Sequence, residues 1–211
     1  MVTIAYWDTQ GGSRPPRLLG EYSGTPTIRL FTPKRKPRNP GSVKEKTVLD
    51  YQHGERTAKD MRKFLESQLP NYVERVKFGK DDYDRFVTKA NRFGLPIVVV
   101  FTTKVATSTT LKWLSAEFRR KLFLVEIPPT EKNEELRKEL LRNQFGGTAE
   151  EVDALSSDNK ASLYVIPPEG SNSSIVKYDG DKFARRQLQD FLKKHALKEQ
   201  VLEPILKHDE F

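Results

Sequence analysis

The chain has 211 residues, enough for one large domain or two of about 100 residues each. Its formal net charge is +8, and it holds no cysteine, which excludes a disulfide, a thiolate nucleophile and a thiolate metal site. With 36% hydrophobic residues, 12 Phe and 7 Tyr it can bury a core, and no run reaches the roughly 18 apolar residues of a membrane span.

Met1 leads directly into residues 2–7 (VTIAYW), a strand-like run without a basic n-region, so no secretory signal is expected there. Residues 10–16 form a Gly/Pro loop, and residues 17–22 one or two helical turns. Residues 27–31 (TIRLF) alternate as a strand does. The basic, Pro-rich stretch 32–43 is a loop, and 48–52 a second strand. Thr57 and Asp60 have capping-box spacing. They open a helix whose Met61, Phe64, Leu65 and Leu69 share one face and which Pro70 ends.

After a linker at 76–80, Tyr83, Phe86, Val87, Ala90 and Phe93 recur at helical spacing, and Gly94 closes that helix. Residues 97–101 (IVVVF) read as a strand covered on both faces. Ser108 is the expected N-cap of a helix bearing Leu111, Leu114 and Phe118. A strand at 122–126, a charged helix at 130–145, strands at 162–166 and 174–178 and a helix at 181–195 complete the series. The buried stripe of that last helix is Ala184, Leu188, Phe191 and Leu192. Strands alternating with helices imply an α/β fold, a mixed sheet with helices on both faces.

The two blocks end alike. TIRLFTP…VLDYQHGERTAKDMRKFLE and SLYVIPP…IVKYDGDKFARRQLQDFLK each give strand, Pro-containing loop, strand, aromatic, Gly and a helix closing on Phe-Leu. Tyr51 to Phe64 and Tyr178 to Phe191 have the same spacing. The first block is shorter at its front.

Thr25-Pro26-Thr27 before a strand, followed by Tyr51…Gly54-Glu55-Arg56-Thr57, resembles the second half of a thioredoxin domain of the protein disulfide isomerase family. That resemblance implies a cis bond at Thr25-Pro26, facing clients where the family carries its C-x-x-C. It covers residues 1–75, read as a partial unit lacking the C-x-x-C half. It extends over 82–197, read as a complete thioredoxin-like unit, through IVVVFTT, LFLVEI and SLYVI. In this second unit residues 104–109 (KVATST) stand where the family places a Trp and two Cys, and Ala161 stands in place of the cis-Pro. The unit thus resembles the family's non-catalytic b-type domains. Without a thiolate it cannot attack a disulfide.

Residues 198–211 form a tail. Its last four, His208, Asp209, Glu210 and Phe211, resemble the H-D-E-L retrieval signal of the endoplasmic reticulum, with Phe in place of Leu. Asn172-Ser173-Ser174 is a glycosylation sequon in an expected loop. The resemblance implies unfolded or cysteine-containing client polypeptides, a retrieval receptor and a chaperone as partners, in the endoplasmic-reticulum lumen.

No cofactor and no metal are expected: His53, His195 and His208 lack ligand spacing, and Glu134, Glu135 and Glu139 read as a solvated helix face. Two alternatives stay open. The chain is the C-terminal fragment of an active oxidoreductase whose C-x-x-C lies upstream, or a basic protein binding nucleic acid through Lys34, Arg35, Lys36 and Arg38. The latter block has no interleaved aromatic for base stacking, and the remaining charge is dispersed, so neither nucleic acid nor membrane is the expected partner.

Overall fold

A computed structural model describes residues 27–33, 46–52, 55–148, 161–180 and 182–201. The chain divides into two compact units, Met1–Ser67 and Gln68–Phe211. The expected strand at 2–7, the turns at 17–22, Thr25 and Pro26, the block Lys34 to Arg38, His53 and the tail residues His208, Asp209, Glu210 and Phe211 lie outside the described residues.

In the first unit β1 (Arg29–Pro33) pairs antiparallel with β2 (Lys46–Asp50), with Phe31 opposite Val48. Helix α1 (Ala58–Ser67) follows. Its start is the expected box: the Asp60 amide donates to Thr57 Oγ1 at 3.1 Å, and that hydroxyl donates to Asp60 Oδ2 at 2.7 Å.

The second unit opens with a strand that sequence did not give. β3 (Glu74–Arg75) pairs in parallel with β5 (Phe123–Ile127), so residues read as the end of the first unit belong to the second unit's sheet. Then come α2 (Lys80–Arg92), β4 (Ile97–Phe101), α3 (Thr109–Glu117), β5, α4 (Glu131–Asn143), β6 (Ser162–Ile166), β7 (Val176–Lys177) and α5 (Arg185–His195). The last helix starts later than expected, and Ala184 is an exposed N-cap rather than part of the buried stripe.

The sheet order is β3-β5-β4-β6-β7, with β3, β4 and β5 parallel and β6 antiparallel to β4. Period-two alternation sorts the strands onto two faces. Ile97, Val99, Phe101, Val125, Ile127 and Tyr164 pack with Tyr83, Phe86 and Ala90 of α2 and Leu136, Leu140 and Leu141 of α4. Val98, Val100, Leu124, Leu163 and Val165 pack with Leu111 and Leu114 of α3 and Leu188 and Leu192 of α5. Each such fully buried aliphatic side chain contributes about 1.5–3 kcal/mol. A β-α-β-α-β-α-β-β-α chain wound into this order, with a helix pair on each face, is the thioredoxin-like fold.

Candidate functional site

The three parallel strands end at one pole, and in open α/β sheets ligands bind beyond such strand ends. The connection from β4 to α3, residues 102–108, crosses this pole. The thioredoxin fold carries its redox cysteines here, at the N-terminus of the following helix, and this chain has Lys104 to Thr109. Ser108 caps α3: its Oγ accepts from the Leu111 amide at 3.2 Å, as its position in the sequence implies. Register pairs Phe101 with Ser162, so Ala161, preceding β6, stands beside the start of this loop at Thr102. The two departures from the redox pattern therefore lie together.

Beneath the loop is Glu126, fully buried near the end of β5. It shares the strand face of Leu124, toward α3, because the strand alternates. The Thr107 hydroxyl donates to Glu126 Oε2, while Oε1 has no hydrogen-bond partner among the described residues. Burial pushes the Glu126 carboxyl above the ordinary carboxylate range, against the Thr107 bond, the charge of Arg75 and the Thr102 hydroxyl. Arg75 in β3 also donates to the Val105 carbonyl. A buried acid of β5 and a half-buried cation of β3 thus hold the loop at two points.

From the other face Arg137 of α4, 5% exposed, donates to the carbonyls of Thr102 at 3.0 Å and Ile127 at 2.7 Å. Asn133 is fully buried and ties Val76, Gly79 and Pro128 through its amide. Neither side chain is among the inward positions expected of the charged helix 130–145, yet both are buried. Their spacing to Leu141, by fours, was the signal that they share its buried face.

Clamped in this way, the pole displays apolar side chains outward. Val105 is 59% exposed at the loop, and Phe78, three residues after Arg75, is 66% exposed. The Lys132 ammonium lies 5.2 Å from the Phe78 ring centroid, and Lys77 and Lys104 are exposed beside them in sequence. Phe78, Val105, Glu126 and Arg75 were all missed as site residues. Among the described residues no group of three or more His, Cys, Asp or Glu is arranged to hold a metal, and no helix is long and apolar enough to cross a membrane. Asn172 is exposed in the connection between β6 and β7.

No protein-family model matches this sequence, and no curated protein matches it. Among solved structures the chain is similar to ERdj5 form I, at 14% identity and TM-score 0.46, over 71% of this chain and 18% of that one. It is similar to the first two thioredoxin domains of Naumovozyma dairenensis Eps1p, at 16% identity and TM-score 0.40, over 67% and 62%. It is similar to human ERp44 form I, at 9% identity and TM-score 0.39, over 71% and 32%. The chain thus spans less than two thirds of each. Its thioredoxin-like assignment rests on its own strand order and helix placement.

Proposed function

We propose that this chain is a non-catalytic, client- or chaperone-binding part of an endoplasmic-reticulum folding protein of the protein disulfide isomerase type. One observation carries the reading. At the pole where a thioredoxin-like unit places its thiols, this unit has a clamped, thiol-free loop with exposed Val105, and the connection after β3 carries exposed Phe78. Exposed apolar groups with a lysine at Phe78 and exposed lysines next to each in sequence suit an unfolded chain, whose apolar side chains need cover and whose carbonyls and carboxylates meet the cations. The luminal location rests on the resemblance and on His208, Asp209, Glu210 and Phe211.

The test is a pair of assays on the full chain. It suppresses aggregation of a reduced unfolded client in a concentration-dependent way, and it reduces insulin no faster than serum albumin does. Absence of suppression contradicts the binding role, and thiol-independent turnover contradicts the non-catalytic one.

A second reading has support from the match of β1-β2-α1 with β6-β7-α5. On this reading Thr25 and Pro26 belong to the later half of a redox unit whose C-x-x-C lies upstream, and the whole protein is an oxidoreductase. The coding sequence before Met1 separates the two readings.

A further inference from the structure

Asn172-Ser173-Ser174 is the one Asn-x-Ser/Thr triplet in the sequence. The proposed function leaves it unused. Residues 169–174 are all exposed, in an irregular nine-residue connection running from Pro167 to Ile175 between β6 and β7. Here the Ser173 amide donates to Ser171 Oγ at 3.2 Å, so the backbone turns at the asparagine rather than extending into the sheet. The residue after Asn172 is Ser, not Pro, and the Ser174 side chain is exposed as well. A glycan needs this combination: an amide and a +2 hydroxyl both reachable on a bendable surface loop.

Topology adds where the loop lies. β4 runs from Ile97 to Phe101, and the antiparallel register pairs Ile97 with Ile166 and Phe101 with Ser162. The loop after Ile166 therefore leaves the sheet at the start of β4. Loop 102–108 leaves at its end. About 15 Å of strand separates the two. Sheet order also puts β7 at the edge opposite β3, which carries Arg75 and leads to Phe78. A large polar group on Asn172 would lie at the far pole from Val105 and Phe78 and next to β7, an edge strand of the sheet among the described residues, where it would hinder pairing with another chain.

We infer that Asn172 carries an N-linked oligosaccharide, placed so that it leaves the client-binding pole free. This rests on the luminal reading above. The transfer takes a lipid-linked oligosaccharide diphosphate as donor. The bond from the sugar's anomeric carbon to the phosphate oxygen breaks, a bond from that carbon to Asn172 Nδ2 forms, one amide proton is released, and the lipid diphosphate leaves.

The test expresses the full chain behind an added signal peptide in cells with a secretory pathway, beside Asn172→Gln and Ser174→Ala. The unchanged chain runs as one slower species that peptide-N-glycosidase converts to the faster one, leaving aspartate at position 172 by mass. Both substituted chains run only as the faster species. An unmodified Asn172 in the lumen-targeted chain overturns the inference, while client binding by that same chain leaves the functional reading standing. Glycosylated and enzymatically deglycosylated chains bind unfolded client equally, within about twofold. A loss of binding on glycosylation overturns the placement.

Discussion

The Tyr178 ring meets the Phe191 ring edge-on, with centroids 5.2 Å apart and planes at 69°. Tyr51 meets Phe64 in the same way, at 5.3 Å and 82°. The match goes beyond the rings. The Tyr178 hydroxyl donates to the Lys182 carbonyl and the Tyr51 hydroxyl to the Glu55 carbonyl, four residues on in each case. The Tyr178 amide donates to Leu163 and the Tyr51 amide to Ile28, both at 2.9 Å. A tyrosine just after the second strand of each antiparallel pair thus meets a ring of the following helix and, through its hydroxyl, holds the turn before that helix. Two short sequence echoes are thereby shown to be one structural unit used twice.

Gly180 makes this contact testable. A Cβ on Gly180 would fall within the Tyr178 ring, so Gly180→Ala must displace that ring. We expect Gly180→Ala to cost about 2 kcal/mol of unfolding free energy, in the range of overpacking. With Tyr178→Ala already present, the added cost of Gly180→Ala falls below about 0.5 kcal/mol. Urea midpoints of the four chains measure the coupling, and additive effects would contradict the contact.

Glu126 predicts a pH dependence. Its folded-state carboxyl lies above the ordinary range, so the native state binds more protons than the unfolded state between the two values. Stability from this group therefore falls as pH rises from the ordinary carboxylate range through the folded value, and it is regained on acidification. Glu126→Gln keeps an acceptor for Thr107 and removes the buried charge. It should be more stable than the parent at neutral pH, with the difference vanishing as pH falls through the ordinary range. Thermal melts across pH measure it. A less stable Gln chain at neutral pH would mean that the Arg75 attraction outweighs burial.

Ser108 marks the helix end where a redox relative would hold its thiol. Ser108→Ala should cost about 1 kcal/mol through the lost bond to Leu111. Ser108→Cys should give a thiol ionising below the ordinary value of about 8.5, because the α3 N-terminus favours the thiolate. The pH profile of its alkylation measures this. An ordinary or raised value would show that the nearby Glu126 overrides the helix terminus.

Much of this architecture is legible in the residues. IVVVF announces a strand covered on both faces, and all five of its residues are buried. Ser108 and the Thr57–Asp60 pair announce two helix starts. β3 escaped because its two residues, Glu74 and Arg75, are polar and too few to show a period, and only pairing with β5 makes them a strand. Glu126 hid in an apolar run, although alternation with Leu124 already places it inward. Val105 and Phe78 have no local signature, since an exposed apolar residue is recognised by what fails to cover it.

The tail makes a separate prediction. Behind an added signal peptide the chain should be retained in cells, Phe211→Leu should increase retention, and one residue appended after Phe211 should release it. Secretion assays compare the three. Equal secretion of the appended and unmodified chains would remove the tail as support for a luminal location.

Client binding at the thiol-free pole is open to a single titration. A fluorescent, reduced and permanently unfolded client is titrated with the full chain and with the Val105→Ser, Phe78→Ser double variant, and anisotropy is read. Both side chains are already exposed, so the variant keeps its fold, checked by an unchanged urea midpoint. Covering each apolar side chain contributes about 1 kcal/mol, so together they alter affinity roughly thirtyfold. The parent chain should bind saturably, and the variant should bind at least about tenfold more weakly. Absent binding, or equal binding by the two chains, would contradict client binding at this pole.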